Sequence, residues 1–277
     1  MRRLAAFGVT GVTDASVTND AAQAQLFEAA RAAGDLQQRL MLMGGGALPA
    51  SQAYRTGPVK ILLDDDGLGD LEAMAATIAF ARAERRPIAV HCVTAVQLAF
   101  TLAAFGTEGS RPGDRIEHGG MIDAAAAPEI ARLGLCVVTQ PSFIAERGDQ
   151  YRAEIAPDDL PGLYPCASLV RAAIPVGAST DAPYADPDPW AAMAAATRRT
   201  TPSGVVLGDA ERVDGETALG LFLGTFEAPG GPPRRIAVGA PADLCLLQTP
   251  RAPALDAPSA AHVRATIIDG VVVHEAN

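Results

Sequence analysis

Lys60, His91, His118 and Asp181 each stand in or just after a short apolar run: Pro58-Val-Lys-Ile-Leu-Leu63, Ile88-Ala-Val-His91, Arg115-Ile-Glu-His118 and Val176-Gly-Ala-Ser-Thr-Asp181. Among 22 basic residues, Lys60 is the only lysine. An arginine stays charged in any protein environment, whereas an enclosed lysine can lose its proton and serve as a nucleophile, a base or, once modified, a ligand. Two imidazoles, a carboxylate and such an amine make a donor set for a divalent metal such as zinc. Taken singly, each has an ordinary explanation: a survivor of an arginine-biased composition, a hydrogen-bonded structural histidine, an aspartate capping the next helix. Four of them across four strand runs point instead to one site. His262 and His274 lie in the tail and read as structural or surface residues.

The elements that must position them follow from periodicity. Short apolar runs alternate with Ala-rich helical segments about seven times. Strands are expected over residues 8–14, 39–43, 59–63, 88–93, 115–118, 135–139 and 175–179, with helices such as 20–33 and 71–85 between them. In the second of these helices, Leu71, Met74, Ala75 and Ile78 share one face. Strands apolar on both faces and joined by helical crossovers make a parallel sheet, and this many units favour a closed (β/α)8 barrel. Seven is one short of eight. The C-terminal strand ends of such a barrel carry the chemistry, and His91, His118 and Asp181 fall there. Helical stretches 189–199 and 215–224 follow, and then the texture changes. Runs 236–247 and 263–274 are β-rich, with a hairpin turn at Asp269-Gly270 and a Pro-rich loop, 249–258, joining them. The expected organisation is a barrel domain over residues 1–234 and an accessory β-segment over 235–277.

Composition removes several classes. With 49% hydrophobic and 19% charged residues the chain has ample core for one large globular unit. The net charge of −10, with scattered arginines, argues against a nucleic-acid partner. No apolar run approaches the about 20 residues that span a bilayer. The opening Met1-Arg-Arg-Leu-Ala-Ala-Phe is broken by Gly8 and Gly11 and reads as mature structure, not as a signal peptide. Cys92, Cys136, Cys166 and Cys245 fall singly, as expected of reduced, buried thiols in a cytoplasmic protein.

Tempting motifs fail on context. Gly44-Gly-Gly46 lacks the Lys-Ser/Thr of a phosphate loop, and no GxGxxG opens a helix after a strand. Ser179 is outside a GxSxG elbow. Asp64-Asp65-Asp66 reads as a solvated loop, because consecutive carboxylates cannot all point inward to a cation. A metal-free sugar or nucleoside enzyme is disfavoured, since no pair of strand-end glutamates is present.

Gly8-Val-Thr-Gly-Val-Thr-Asp14, Val59-Lys60, Val90-His91, Glu117-His118-Gly and Ser179-Thr-Asp181-Ala-Pro, in that order, resemble the metal-dependent amidohydrolase superfamily, and most closely its YtcJ-like branch. The C-terminal Val238-Gly-Ala-Pro-Ala-Asp243 and Ile268-Asp-Gly-Val-Val-Val273 resemble strands that those enzymes add to a β-sandwich beside the barrel. The resemblance implies a hydrolase of amide-like, non-peptide C–N bonds working through a metal-activated water on a small-molecule substrate. By position it implies a carbamate on Lys60 bridging metals, metal ligation by His91 and His118, and metal contact plus proton shuttling by Asp181. Gln140, Ser142, Arg147 and Thr180 are the substrate-binding candidates, the first three on a loop, 139–147, after a strand. Zinc is the expected ion.

The family's first barrel strand ends in His-x-His, and no such pair occurs here. The expectation is therefore an α/β, TIM-type (β/α)8 barrel lacking its first strand, with a partial C-terminal β-sandwich element, in an N-terminally truncated chain. Lys60, His91 and His118 would then form a single-metal cluster with Asp181 nearby. The opened barrel exposes two strand edges, which implies low stability or pairing into a homo-oligomer. A non-catalytic or weakly active remnant of such an enzyme is the alternative.

Overall fold

Apolar runs buried on both faces dictate the central sheet: Ile88, Ala89 and Val90 are all fully buried, as a strand covered by crossover helices requires. The structure, a computed structural model describing residues 2–64 and 67–276, has seven strands in this sheet, the first of them an edge strand that is only half-buried. They are β1 (Gly11–Asp14), β2 (Arg39–Gly44), β3 (Arg55–Ile61), β4 (Ile88–Cys92), β5 (Arg115–His118), β6 (Cys136–Thr139) and β7 (Val176–Ala178). All pair in chain order and parallel. Asp65 and Asp66 of the acidic run lie outside the described residues; Asp64 is exposed.

The helices are α1 (Arg2–Ala6), α2 (Ala21–Ala32), α3 (Leu71–Ala83), α4 (Ala95–Glu108), α5 (Ala126–Leu133), α6 (Ser142–Glu154), α7 (Ala167–Arg171), α8 (Pro189–Arg198), α9 (Gly215–Gly220) and α10 (Arg251–Asp256); α2 to α7 connect successive strands of the sheet except β2 and β3, which a loop joins. Local chemistry starts them. Asp20, Asp70 and Asp188 accept backbone N–H groups at the starts of α2, α3 and α8, and Thr94 with Gln97 forms a capping box on α4; each cap stabilises by about 1 kcal/mol. Met74 and Ile78 of α3, Leu98, Leu102 and Phe105 of α4, and Ile130 and Leu133 of α5 pack with Val59, Ile88, Val90, Ile116 and Val137 in one core. Leu71, expected on the buried face of its helix, is half-exposed at the first turn.

The sheet curls. Arg115 Nη2 on β5 lies 3.7 Å from Met43 Sδ on β2, and Lys60 on β3 feels the charge of Asp181, which follows β7. In a flat sheet, four strand spacings would hold those last two backbones about 19 Å apart. β1 and β7 share no ladder among the described residues, so the strands form a curled half-barrel, not a closed one. Its N-terminal end is crossed by the stretch after α9. Leu221 O accepts from Ala178 N at 2.8 Å on the outer edge of β7; at the strand starts, Phe226 O accepts from Arg115 Nη1 at 3.4 Å, and Glu227 pairs with Arg55 at 2.7 Å. No apolar periodicity in this Gly- and Pro-rich stretch announces that role.

A second sheet holds β8 (Leu244–Leu247), β9 (Val263–Ile268) and β10 (Val271–Glu275), antiparallel in the order β10-β9-β8. The hairpin turn at Asp269-Gly270 is present, with Asp269 at φ 52° and Gly270 at φ 79°. Only the last four residues of run 236–247 are strand; Ile236 and Val238 are exposed, and Gly239 (φ 87°) and Pro241 break the extended backbone. The expected loop 249–258 contains α10, which tolerates Pro253 in its first turn, where a helical N–H has no partner. Arg39 clamps this sheet to β2 through Asp243 and Asp269. All four cysteines are free, but Cys245 is exposed. No described helix is long and apolar enough to cross a membrane.

Candidate active site

Lys60 is held by its strand and by a buried neighbour. It pairs with Ala89 across the β3–β4 ladder. Just ahead of it, the Arg86 guanidinium donates to the carbonyls of Gly57 at 2.8 Å, Pro58 at 2.9 Å and Gly44 at 3.2 Å, pinning β2 and β3 where their register shifts. The residue is only 6% exposed. Burial pushes its pKa down; Glu117 opposes this and Arg115 adds to it.

His91 and His118 come from adjacent strands and meet edge to face, ring centroids 4.4 Å apart. His118 sits at φ 73°, and Gly119 N donates to Glu117 O at 3.1 Å across it, which makes His118 the centre of a γ-turn of the rare positive-φ kind. Gly119 (φ 54°) continues the turn, and a Cβ on Gly120 would lie 2.6 Å from Val93 O. Two glycines after the histidine are thus what this reversal needs. Positive φ on a non-glycine residue is unfavourable, and such strain concentrates where a side chain must be aimed. Asp181 (φ 56°) shows the same device beyond β7.

The electrostatics set protonation. Burial, then His91 and Lys60, depress the His118 pKa to about 4, so its ring is neutral at pH 7. Burial pushes the Asp181 carboxyl up to about 6, against the opposing pull of Lys60. Glu117 is the counter-charge of the interior. Burial alone would raise its pKa, but Arg115, 2.7 Å away, and Lys60 outweigh it and hold it ionised.

Among the described residues, no three His, Cys, Asp or Glu side chains gather as a metal-holding group. Lys60 is electrostatically coupled to His118 and to Asp181, so a divalent ion here needs Lys60 as a donor beside the two imidazoles. With that nitrogen, or a carbamate on it, the donor set suits one ion.

The remaining candidates fall into two pairs. Gln140 and Ser142 are buried; the Gln140 amide bonds to His118, Val138 and Ser179, while Ser142 Oγ has no partner. Residues 142–147 belong to α6 and not to a loop. Half-buried Arg147 stands over the Phe143 ring at 4.5 Å, donates to Tyr184 O at 2.6 Å and is felt by Asp181. Thr180 is half-buried beside Asp181. Outside the site, His262 bonds Thr249 and Ala257 O at 2.9 Å each.

The model of the amidohydrolase family matches residues 1–274. The chain belongs to that family. Among solved structures, it resembles an uncharacterized metal-dependent hydrolase from Pyrococcus horikoshii, with TM-score 0.67 and 21% identity over 79% of this chain and 51% of that one. It also resembles a Xaa-Pro dipeptidase, with TM-score 0.62 and 17% identity over 99% and 78%, and an Aspergillus niger ochratoxinase, with TM-score 0.62 and 12% identity over 99% and 74%. At these identities the likeness is one of fold, and the chain spans about half the length of the Pyrococcus protein. No curated protein matches it.

Proposed function

We propose that this chain carries the metal site of a hydrolase acting on amide-like, non-peptide C–N bonds, of the YtcJ-like kind, with Lys60, His91 and His118 holding a divalent ion, zinc by preference. The observation that carries this reading is the meeting at one end of the half-barrel of an enclosed amine of lowered pKa, two neighbouring imidazoles and a carboxyl raised to about 6. When bound, the ion supplies hydroxide near neutral pH and polarises a carbonyl oxygen.

The protein's own groups do the rest. Asp181, ionised above about pH 6, takes the proton of the attacking water and hands it to the leaving nitrogen. Glu117 compensates the Arg115 guanidinium 2.7 Å away and opposes the lowering of the Lys60 pKa. Arg147, near Asp181 and partly open to solvent, is placed to attract a substrate carboxylate, which favours N-acyl amino acids over neutral amides. The second reading, a non-catalytic or weakly active remnant that keeps the fold, draws on the lack of a His, Cys, Asp or Glu trio among the described residues.

Amine release from a panel of N-acyl amino acids and neutral amides separates the two. The expected result is hydrolysis abolished by a chelator and restored by zinc. Release that ignores the chelator, or none from any member of the panel with zinc present, contradicts the proposal.

A further inference from the structure

We infer that Gln140 fixes the tautomer of His118, placing the proton on Nδ1 and leaving the lone pair on Nε2, the nitrogen then offered to a metal. Gln140 follows β6 directly and is 1% exposed. Its amide makes three contacts: Nε2 to Val138 O at 3.1 Å, Nε2 to Ser179 Oγ at 3.0 Å, and Oε1 to His118 Nδ1 at 2.9 Å.

The orientation of that amide is decided by chemistry. A backbone carbonyl only accepts, so the amide atom facing Val138 O must be the NH₂ group. The atom facing His118 is therefore the amide oxygen, which also only accepts. Nδ1 must then donate, and a neutral imidazole with hydrogen on Nδ1 has its lone pair on Nε2. An unconstrained histidine side chain prefers the opposite tautomer, with hydrogen on Nε2, so the bond to Gln140 reverses the default. Partners that orient a ligating ring in this way change metal affinity by about 10–100-fold when removed. Gln140 is thus a positioning residue. Through Ser179 it also ties the end of β6 to the Ser179-Thr180-Asp181 segment.

The consequence for metal rests on the proposed role of His118 as a ligand; the tautomer does not. The test is a two-bond ¹H–¹⁵N correlation spectrum of the purified chain, labelled with ¹⁵N-histidine, chelator-treated and near pH 8, with the His118 signals assigned from His118→Asn. The expected pattern is Nδ1–H for wild type and a shift toward Nε2–H in Gln140→Met, which keeps the side-chain length and loses the acceptor. Zinc affinity should fall about 10–100-fold in that variant. A wild-type ring with hydrogen on Nε2, or a Gln140→Met ring that stays Nδ1–H, overturns the inference. The wild-type spectrum alone decides the tautomer if the variant does not fold. An Nδ1–H ring in a chain that binds no zinc supports the tautomer assignment and removes His118 as a ligand.

Discussion

Asp181→Asn should lower turnover by about 10²–10⁴-fold while the protein keeps its metal. Asparagine has nearly the same shape and, as the neutral amide, can still occupy the turn beyond β7, where the backbone sits at φ 56°. What it loses is the capacity to take a proton. Among the described residues Asp181 joins no His, Cys, Asp or Glu trio, so Lys60, His91 and His118 should retain the ion without it. The pH profile supplies a second readout. Burial pushes the wild-type carboxyl up to about 6, and the base works only when ionised. Wild-type activity should therefore rise as pH increases through about 6, and the residual activity of the variant should lack that limb. Steady-state kinetics with metal analysis on the same preparation checks both. Turnover within a few-fold of wild type would place the base elsewhere.

Glu117→Ala should destabilise the fold by about 3–5 kcal/mol, the range for removing one partner of a buried ion pair. Glu117 and Arg115 are both buried, with 2.7 Å between them, and Lys60 lies close enough to depress the Glu117 pKa. Truncation leaves the Arg115 guanidinium without its carboxylate inside the half-barrel and removes the charge that opposes the lowering of the Lys60 pKa. Urea unfolding gives the difference directly. A loss below about 1 kcal/mol would mean that Arg115 finds other partners, of which Phe226 O is already one at 3.4 Å.

The strand ends were legible because a parallel sheet buried on both faces leaves little place for a polar side chain except at its ends. His91, His118 and Asp181 stood out for that reason, and Lys60 through its isolation among arginines. Arg115 and Glu117 were equally visible: they flank Ile116 at strand spacing, so they share a face. Their burial was not anticipated because charged residues are normally exposed, although the double-sided burial expected of this strand already implied it. The γ-turn at His118 is a backbone event whose only trace in the sequence is the Gly-Gly pair after it. Gln140 read as a substrate contact because its polarity was visible and its three protein partners were not. Two of them, Val138 and His118, come from β6 and β5, and Ser179 follows β7, the strand paired with β6 on its other side. The crossing of the N-terminal end by residues 226–230 depends on tertiary packing and has no periodic signal to announce it.

Metal content of the purified chain, compared between wild type and Lys60→Arg after equilibration with zinc at neutral pH and removal of excess, tests the central claim most directly. A guanidinium can neither lose its proton nor form a carbamate under these conditions, and two imidazoles alone make an incomplete site. The account predicts about one equivalent of zinc per wild-type chain and its loss in the variant. Wild-type protein without zinc, or a Lys60→Arg protein that retains it, would contradict it.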